Sequence, residues 1–491
     1  MFENALLNTI NSTIHSSGGN TISDGKCTCT YEELPIIFET IDAFIADRGI
    51  IPGDCTAFRC GNTLPGAITL LWLLCRERDF VLLPRLTGKA QHELEDLNLP
   101  SFCKYKLPGP EPARQDAVSK IDLKYPASYL TLLPNSTYKG EGEKNVRQID
   151  IPGKVFLKTS GSTSEPKLAL HANENLTRNA QNCVERFRLF PQSRVLIAVP
   201  IYHMYGLGAG FLPSVMAGAS IRLIDQTDII KYLDQEKQFQ PDVSFMTPTL
   251  IEMALRTRKS TYPYRLIVTA GDRISKTTYE NFEHKFGQLV NLYGSTELGA
   301  IATSDLNAPL EIRSESVVHV MPGVEVRLDA GTGENEMAEI MCHHDAGFEA
   351  YVDKLGTYIP GKTGGWFMTK DLGRMLSVGA FKVAGRTGNS INRNGILVSF
   401  MEVESLMEQG IAEIQHVVVT AKEEENVRGK ILVACCQLKP GVAINAAGIR
   451  SHCFNVMLRH MVPDEVLILK EIPRLPNGKF DRKKITDTLT V

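Results

Sequence analysis

The sequence predicts an α/β protein, with a large N-terminal domain of helix-covered sheets and a small α+β C-terminal domain joined to it by a hinge. Three observations predict this. From about residue 30 to 385, short apolar β-rich runs alternate with helix-like ones, as in parallel sheets covered by helices. The last hundred or so residues break that alternation and read as helix, two strands, helix, strand. The turn Gly385–Gly388 separates the two regions. The expected domains are therefore residues 1–386 and 387–491.

The elements follow in order. The run Gly66–Cys75 is apolar but too short to span a bilayer, and Arg76-Glu77-Arg78-Asp79 follows it, so it reads as a buried helix. Strands are expected at Val195–Val199, Ser220–Ile224, Val243–Met246, Leu266–Thr269 and Leu289–Val290, with helices at 229–240, 250–258 and 277–286 between them. Ligands in such sheets bind beyond the carboxyl ends of strands. Ala270-Gly271 and Tyr293-Gly294 are expected there, just past two of these strands. In the C-terminal region, Phe400–Met407 and 443–459 read as helices. Ile414–Thr420, Ile431–Leu438 and Glu465–Leu469 read as strands, with 422–430 as the charged connection of a hairpin.

Composition excludes several function classes. A net charge of −3 leaves no electrostatic footprint for nucleic acid or an anionic membrane. No apolar stretch is long enough to cross a bilayer, and the N-terminus lacks a signal-peptide pattern, so a cytoplasmic location is expected. The eleven cysteines are scattered without a paired C-x-x-C, which speaks against zinc and for reduced, mostly buried thiols. Cys342-His343-His344 sits in a strand-like run, where neighbours face opposite ways, so it is not expected to bind metal.

The most informative stretch is Lys158-Thr159-Ser160-Gly161-Ser162-Thr163-Ser164-Glu165-Pro166-Lys167. Its hydroxyls, backbone N–H groups and lysine can converge on one anion, above all a nucleotide polyphosphate. Such clusters are also common surface linkers, and the loop alone leaves both readings open. It is not a Walker A loop, because Lys167 follows Pro166 and precedes Leu168. Pro166 and the apolar Leu168-Ala169-Leu170 place it between strands.

Further segments follow in a fixed order. They are Pro200-Ile-Tyr-His203-Met-Tyr-Gly206, Ala270-Gly271-Asp272, Asn291-Leu-Tyr293-Gly294-Ser295-Thr296-Glu297, Gly365-Trp366 through Asp371, Gly385-Arg386-Thr-Gly388 through Gly395, and Leu475-Pro-Asn-Gly478-Lys479. Together with the hydroxyl-rich loop, this series resembles the adenylate-forming superfamily of acyl-CoA synthetases, aryl-CoA ligases, luciferases and peptide-synthetase adenylation domains.

The resemblance implies attack of a carboxylate on the α-phosphate of ATP, then transfer of the acyl group to a phosphopantetheine thiol of CoA or of a free acyl carrier protein. It implies that Thr159, Ser160, Gly161, Ser162, Thr163 and Lys167 hold the β- and γ-phosphates. Glu297 would hold Mg²⁺ and Thr296 would bond the α-phosphate. Tyr293 would stack on adenine and Asn291 would reach its edge, with Ala270, Gly271, Gly294 and Ser295 completing the nucleotide site. Asp371 would accept the ribose hydroxyls and Arg386 would reach ribose or phosphate. Lys479, in a mobile loop of a C-terminal domain that turns about Gly388, would neutralise the transition state. His203, Tyr205, Gly206, Thr247, Ala270, Gly271, Tyr293 and Gly294 would line the pocket for a small-molecule carboxylic acid.

Each residue also has a plain structural reading. Ser-Thr-Glu is a common helix N-cap. Asp371 is a turn aspartate, Arg386 a surface ion-pair partner, Lys479 a loop lysine in water and His203 a core histidine. The segment around His203 has no aspartate to bind an α-amino group, which points away from amino-acid substrates. Four positions depart from the family pattern: Ser164 and Lys370 where glycine is usual, Gly388 at the hinge, and Asn392 where many members carry a lysine used in thioester formation. A nucleotide-binding pseudoenzyme, an amino-acid-adenylating enzyme and a luciferase-like oxidase stand as alternatives.

Overall fold

The computed structural model describes residues 4–85, 99–108, 122–139, 149–159, 167–225, 228–315, 317–329, 337–377, 379–393, 396–423, 430–475 and 479–489. They carry the predicted α/β architecture, a large N-terminal sheet domain followed by a small α+β domain.

At the centre of the larger sheet, strands Gly287–Ser295, Tyr264–Ala270, Val243–Met246, Arg194–Ile197 and Ser220–Leu223 lie side by side and parallel. The chain leaves Arg194–Ile197 for Ser220–Leu223 on one side and then crosses to Val243–Met246 on the other. That reversal opens a crevice at the carboxyl ends of the strands, where the loops diverge. In the second sheet Thr56–Cys60, Phe80–Pro84 and Lys154–Lys158 are parallel, and Leu168–Ala172 returns antiparallel to Lys154–Lys158.

Apolar periodicity explains the covering helices. Helices Ile229–Phe239, Pro248–Thr257 and Lys276–Phe286 bury Tyr232 and Phe239, Leu250 and Ala254, and Tyr279, Phe282 and Phe286. These side chains recur at three-, four- or seven-residue spacing and share one apolar cluster with the strand residues Leu196, Met246, Ile267 and Leu289. Asp228, Thr247 and Ser275 cap the three helices by accepting from backbone N–H groups. The helix Leu64–Cys75 is buried along its whole length, as its composition predicts, and links both sheets in the main core. Among the described residues no helix is long and apolar enough to cross a membrane.

The smaller domain pairs Ile414–Glu423 antiparallel with Lys430–Leu438, and Glu465–Ile468 parallel with the latter. The predicted connection is shorter than expected, because the strands run to Glu423 and resume at Lys430; residues 424–429 lie outside the described set. Helices Phe400–Gly410 and Ala446–Val456 complete it. The second helix is shorter than 443–459 because Asn445 caps it, accepting from Gly448 N at 2.8 Å. Apolar clusters from Ile391 onward share no residue with those of the earlier chain.

Cys342 and His344 are buried in strand Ala338–His344 while His343 faces the other way, as alternation predicts. No group of three or more metal-ligating side chains occurs among the described residues, and all eleven cysteines are unbridged.

Candidate active site

A cleft of about 2600 Å³ opens at the strand ends of both sheets and is closed on one side by residues of the C-terminal domain. Thr159, Lys167, His203, Tyr205, Gly206, Thr247, Ala270, Gly271, Asn291, Tyr293, Gly294, Ser295, Thr296, Glu297, Asp371, Arg386, Gly388 and Lys479 all line it. Ser160, Gly161, Ser162 and Thr163, like Ser164, lie outside the described residues. The base of their loop is fixed, since Thr159 N and Oγ1 both donate to Lys167 O, at 3.0 and 3.1 Å. The loop joins two antiparallel strands, as Pro166 implies.

One wall is the strand Gly287–Ser295 and its turn into Gly299–Thr303. The expected strand ends are corrected here. Tyr293 and Gly294 lie within the strand rather than past its end, and Ala270 is the last residue of its strand. Ser295-Thr296-Glu297 opens a β-turn, not a helix, because the strand folds back on itself with a register shift between Tyr293 and Gly294. The approach is so close that a Cβ on Gly294 would meet Gly299 O at 2.3 Å.

The Tyr293 hydroxyl donates to Asp371 Oδ2 at 2.7 Å and its ring packs edge-on against Phe381. Asp371 Oδ1 accepts from Arg386 Nε at 2.7 Å across adjacent strands, where the two residues are register partners. Asp371 is buried, whereas the Arg386 side chain is 61% exposed. Lys370 has φ +61°, the left-handed conformation that glycine adopts without cost. Its backbone N–H donates to Glu339 Oε1 at 2.8 Å.

Glu297 accepts from the Tyr351 hydroxyl at 2.8 Å, and its carbonyl accepts from Phe348 N at 2.7 Å. The Lys167 ammonium lies 5.5 Å from the centroid of the Tyr351 ring, whose hydroxyl bonds to Glu297. Beneath the turn, buried His171 donates through Nε2 to Thr296 O at 2.8 Å. Burial pushes the His171 pKa down to about 4, against the pull of that bond, so the ring is neutral.

His203 stands at the cleft mouth, its ring 4.6 Å from that of Tyr202. Desolvation and then the Lys479 ammonium hold its pKa below the ordinary histidine value. The Tyr205 hydroxyl is shared between Met246 O at 3.1 Å and Val268 O at 2.7 Å, which makes its ring a fixed wall. Gly206 allows a tight backbone crossing, since a Cβ there would meet Pro200 O at 2.1 Å. Thr247 caps its helix as well as lining the cleft. Gly271, at φ +90°, presents its carbonyl to Lys479 Nζ at 2.5 Å.

Sequence reasoning missed Tyr351, His171 and Asn62. Asn62 is buried, donates to Val199 O and accepts from Ile201 N, both at 2.9 Å, and so holds the segment bearing His203. Only a Gly-Asn turn signal marks Asn62. Nothing local marks the other two.

Two family models match this chain: AMP-binding enzyme over residues 155–352, and AMP-binding enzyme C-terminal domain over residues 402–479. The chain belongs to the AMP-binding enzymes. The matched stretches begin in the hairpin of the hydroxyl-rich loop and end on Lys479. An indoleacetate–CoA ligase of Aromatoleum aromaticum is 25% identical over 477 residues, covering 93% of this chain and 92% of that one. An oxalate–CoA ligase of Arabidopsis thaliana is 24% identical, covering 94% and 93%. The fold matches ATP-bound MatB from Rhodopseudomonas palustris with a TM-score of 0.77 at 19% identity, covering 98% of each chain. It also matches the o-succinylbenzoate CoA synthetase of Bacillus subtilis in complex with its acyl-adenylate, with a TM-score of 0.76 at 20% identity and 98% of each chain.

As an AMP-binding enzyme, the chain shows two of its departures in the backbone. Lys370 takes the left-handed turn that a glycine would occupy. Gly388 sits in the turn Thr387–Asn389 with open space around it and no positive φ, so this conformation does not itself demand glycine. Asn392 lies in strand Ser390–Arg393.

Proposed function

We propose that this protein is an ATP-dependent carboxylic acid–CoA ligase. A carboxylate oxygen attacks the α-phosphorus of ATP, pyrophosphate leaves, and the acyl-adenylate forms. The thiol of CoA then attacks the acyl carbonyl and AMP leaves. The observation that carries this reading is Lys479, whose ammonium reaches from the C-terminal domain into the cleft that holds Glu297 and the Asp371–Arg386 pair. The joining of two anions needs positioning and charge neutralisation above all, and a mobile ammonium supplies the second.

The remaining roles belong to the same proposal. Asp371, oriented by Tyr293 and Arg386, takes the ribose hydroxyls. Thr159, Lys167 and the hydroxyl-rich loop take the β- and γ-phosphates, and Thr296 the α-phosphate. Tyr293 and Asn291 face adenine. His203, Tyr205, Gly206 and Thr247 bound the acid pocket. Glu297 is suited to Mg²⁺, which is usually bound by one or two carboxylates and completed by substrate phosphates. When bound, the ion neutralises phosphate charge.

The domain boundary is placed between residues 386 and 387, and Gly388 is the hinge. The relatives' names favour CoA as acceptor, although a carrier protein's phosphopantetheine bears the same thiol. The eleven unbridged cysteines favour a reducing, cytoplasmic setting.

ATP–pyrophosphate exchange tests the reading with short, medium and long fatty acids, benzoates, cinnamates and amino acids. Exchange is expected with one class of carboxylic acid, followed by thioester formation when CoA is added. Tight ATP binding without exchange for any acid would favour a nucleotide-binding sensor instead.

A further inference from the structure

Lys479 sits on a long stem at the edge of the cleft, and its ammonium acts only where the C-terminal domain places it. Its carbonyl accepts from Leu475 N at 2.7 Å, and the next residue, Phe480, packs against His416 and Arg474, so the lysine is tied to the C-terminal domain. Three residues on, Arg482 forms a two-pronged ion pair with Glu404, with contacts of 2.5 and 2.8 Å. Glu404 belongs to helix Phe400–Gly410, so this helix carries the catalytic loop. One turn further along lies Glu408, and residues four apart share a helix face.

Arg273 meets that face from the N-terminal domain. Its guanidinium pairs with the Glu408 carboxylate and donates to Met401 O at 2.9 Å. The two side chains are only 21% and 15% exposed, so the pair is shielded from water and salt more than a surface pair. Arg273 stands two residues after Gly271, whose carbonyl receives Lys479. The loop that accepts the lysine therefore also clamps the helix behind it. The circuit runs from Arg273 through Glu408, the helix, Glu404 and Arg482 to Lys479, and back to Gly271. A second inter-domain pair, Arg374–Glu402 at 3.0 Å, is more exposed, with side chains 42% and 24% accessible.

We propose that Arg273 is a positioning residue that holds Lys479 in the cleft for adenylation and is dispensable for thiol transfer. This rests on the carboxylic acid–CoA ligase reading. Thiol transfer makes a C–S bond at the acyl carbonyl and breaks the bond to AMP, with no new bond at phosphorus, so it places no demand on Lys479. Removing Arg273 leaves Glu408 buried without its cation, which costs the docked arrangement its main charge pair.

The test uses the full-length protein and the acid that gives the fastest wild-type pyrophosphate exchange. Arg273→Ala should slow exchange roughly ten- to a hundredfold in kcat with the KM for ATP unchanged, the range expected for a shielded charge pair. Thioester formation from the synthetic acyl-adenylate of that acid and CoA should stay at the wild-type rate or rise. The reversed pair Arg273→Glu with Glu408→Arg should recover much of the lost exchange. Wild-type exchange in Arg273→Ala, or an equal loss in both half-reactions, would overturn the clamp. No exchange by the wild-type protein with any acid would instead remove the ligase reading, and the clamp's catalytic meaning with it.

Discussion

Of the arginine–carboxylate pairs among the described residues of the N-terminal domain, Arg258–Glu236 and Arg386–Asp371 differ most instructively in what surrounds them. Arg258 and Glu236 pair at 2.5 Å beneath the helices, with side chains 0% and 7% exposed. Tyr264 donates to the same carboxylate at 2.6 Å and Tyr232 bonds to Tyr264, so protein groups surround the charge. Arg386 and Asp371 pair at 2.7 Å with similar help from Tyr293, but the guanidinium is 61% exposed and both residues face the cleft. The first pair is closed and holds helices to a sheet. The second keeps coordination capacity for a ligand. Environment, not residue type, separates structure from chemistry.

Breaking each pair should therefore fail differently. Arg258→Met leaves Glu236 buried and uncompensated and should cost about 3–5 kcal/mol of stability. Chemical denaturation would report it, while exchange activity at a permissive temperature stays near wild type. Asp371→Asn should lose about 2 kcal/mol of ATP binding, or about thirtyfold in affinity, with little change in melting temperature. A stability loss at Asp371 matched by a catalytic loss at Arg258 would break the comparison.

His171 sharpens it, because it is buried like the first pair yet supports the turn of the second. Its folded pKa of about 4 lies below the usual histidine value, so the unfolded chain binds the proton first as pH falls. Its contribution is complete above about pH 6.5 and is lost as pH falls towards 4, the loss reaching about 3 kcal/mol at the acid end. Denaturation midpoints at pH 7 and 5 should differ more in the wild-type protein than in His171→Gln. Lys370→Gly should have the smallest effect. It relieves a left-handed lysine next to Asp371 and should raise stability by up to ~1 kcal/mol, read as a small rise in melting temperature.

The same contrast explains what was legible in the sequence. Helix Lys276–Phe286 shows itself because Tyr279, Phe282 and Phe286 recur at helical spacing, and strand Val243–Met246 because Val243, Phe245 and Met246 make a short, mostly apolar run between helix-like segments. The hydroxyl-rich loop and the Gly478-Lys479 segment stand out in the sequence because hydroxyl, glycine and lysine residues are concentrated in short stretches. The turn at Ser295-Thr296-Glu297 was not, because the same residues suit a helix cap and only the bulge and the close approach at Gly294 decide. Arg273–Glu408 and Tyr351–Glu297 join residues far apart in sequence, and no local pattern marks such partners. At Lys370 the departure was visible as a residue type, but its strain appears only in the backbone.

The most direct test is ATP–pyrophosphate exchange by Lys479→Ala beside the wild-type protein, with ATP binding measured on both. The wild-type protein should exchange with one class of carboxylic acid. The variant should bind ATP with unchanged affinity and lose nearly all exchange. Near-normal exchange by Lys479→Ala would contradict the assignment of this cleft and this lysine to adenylate formation.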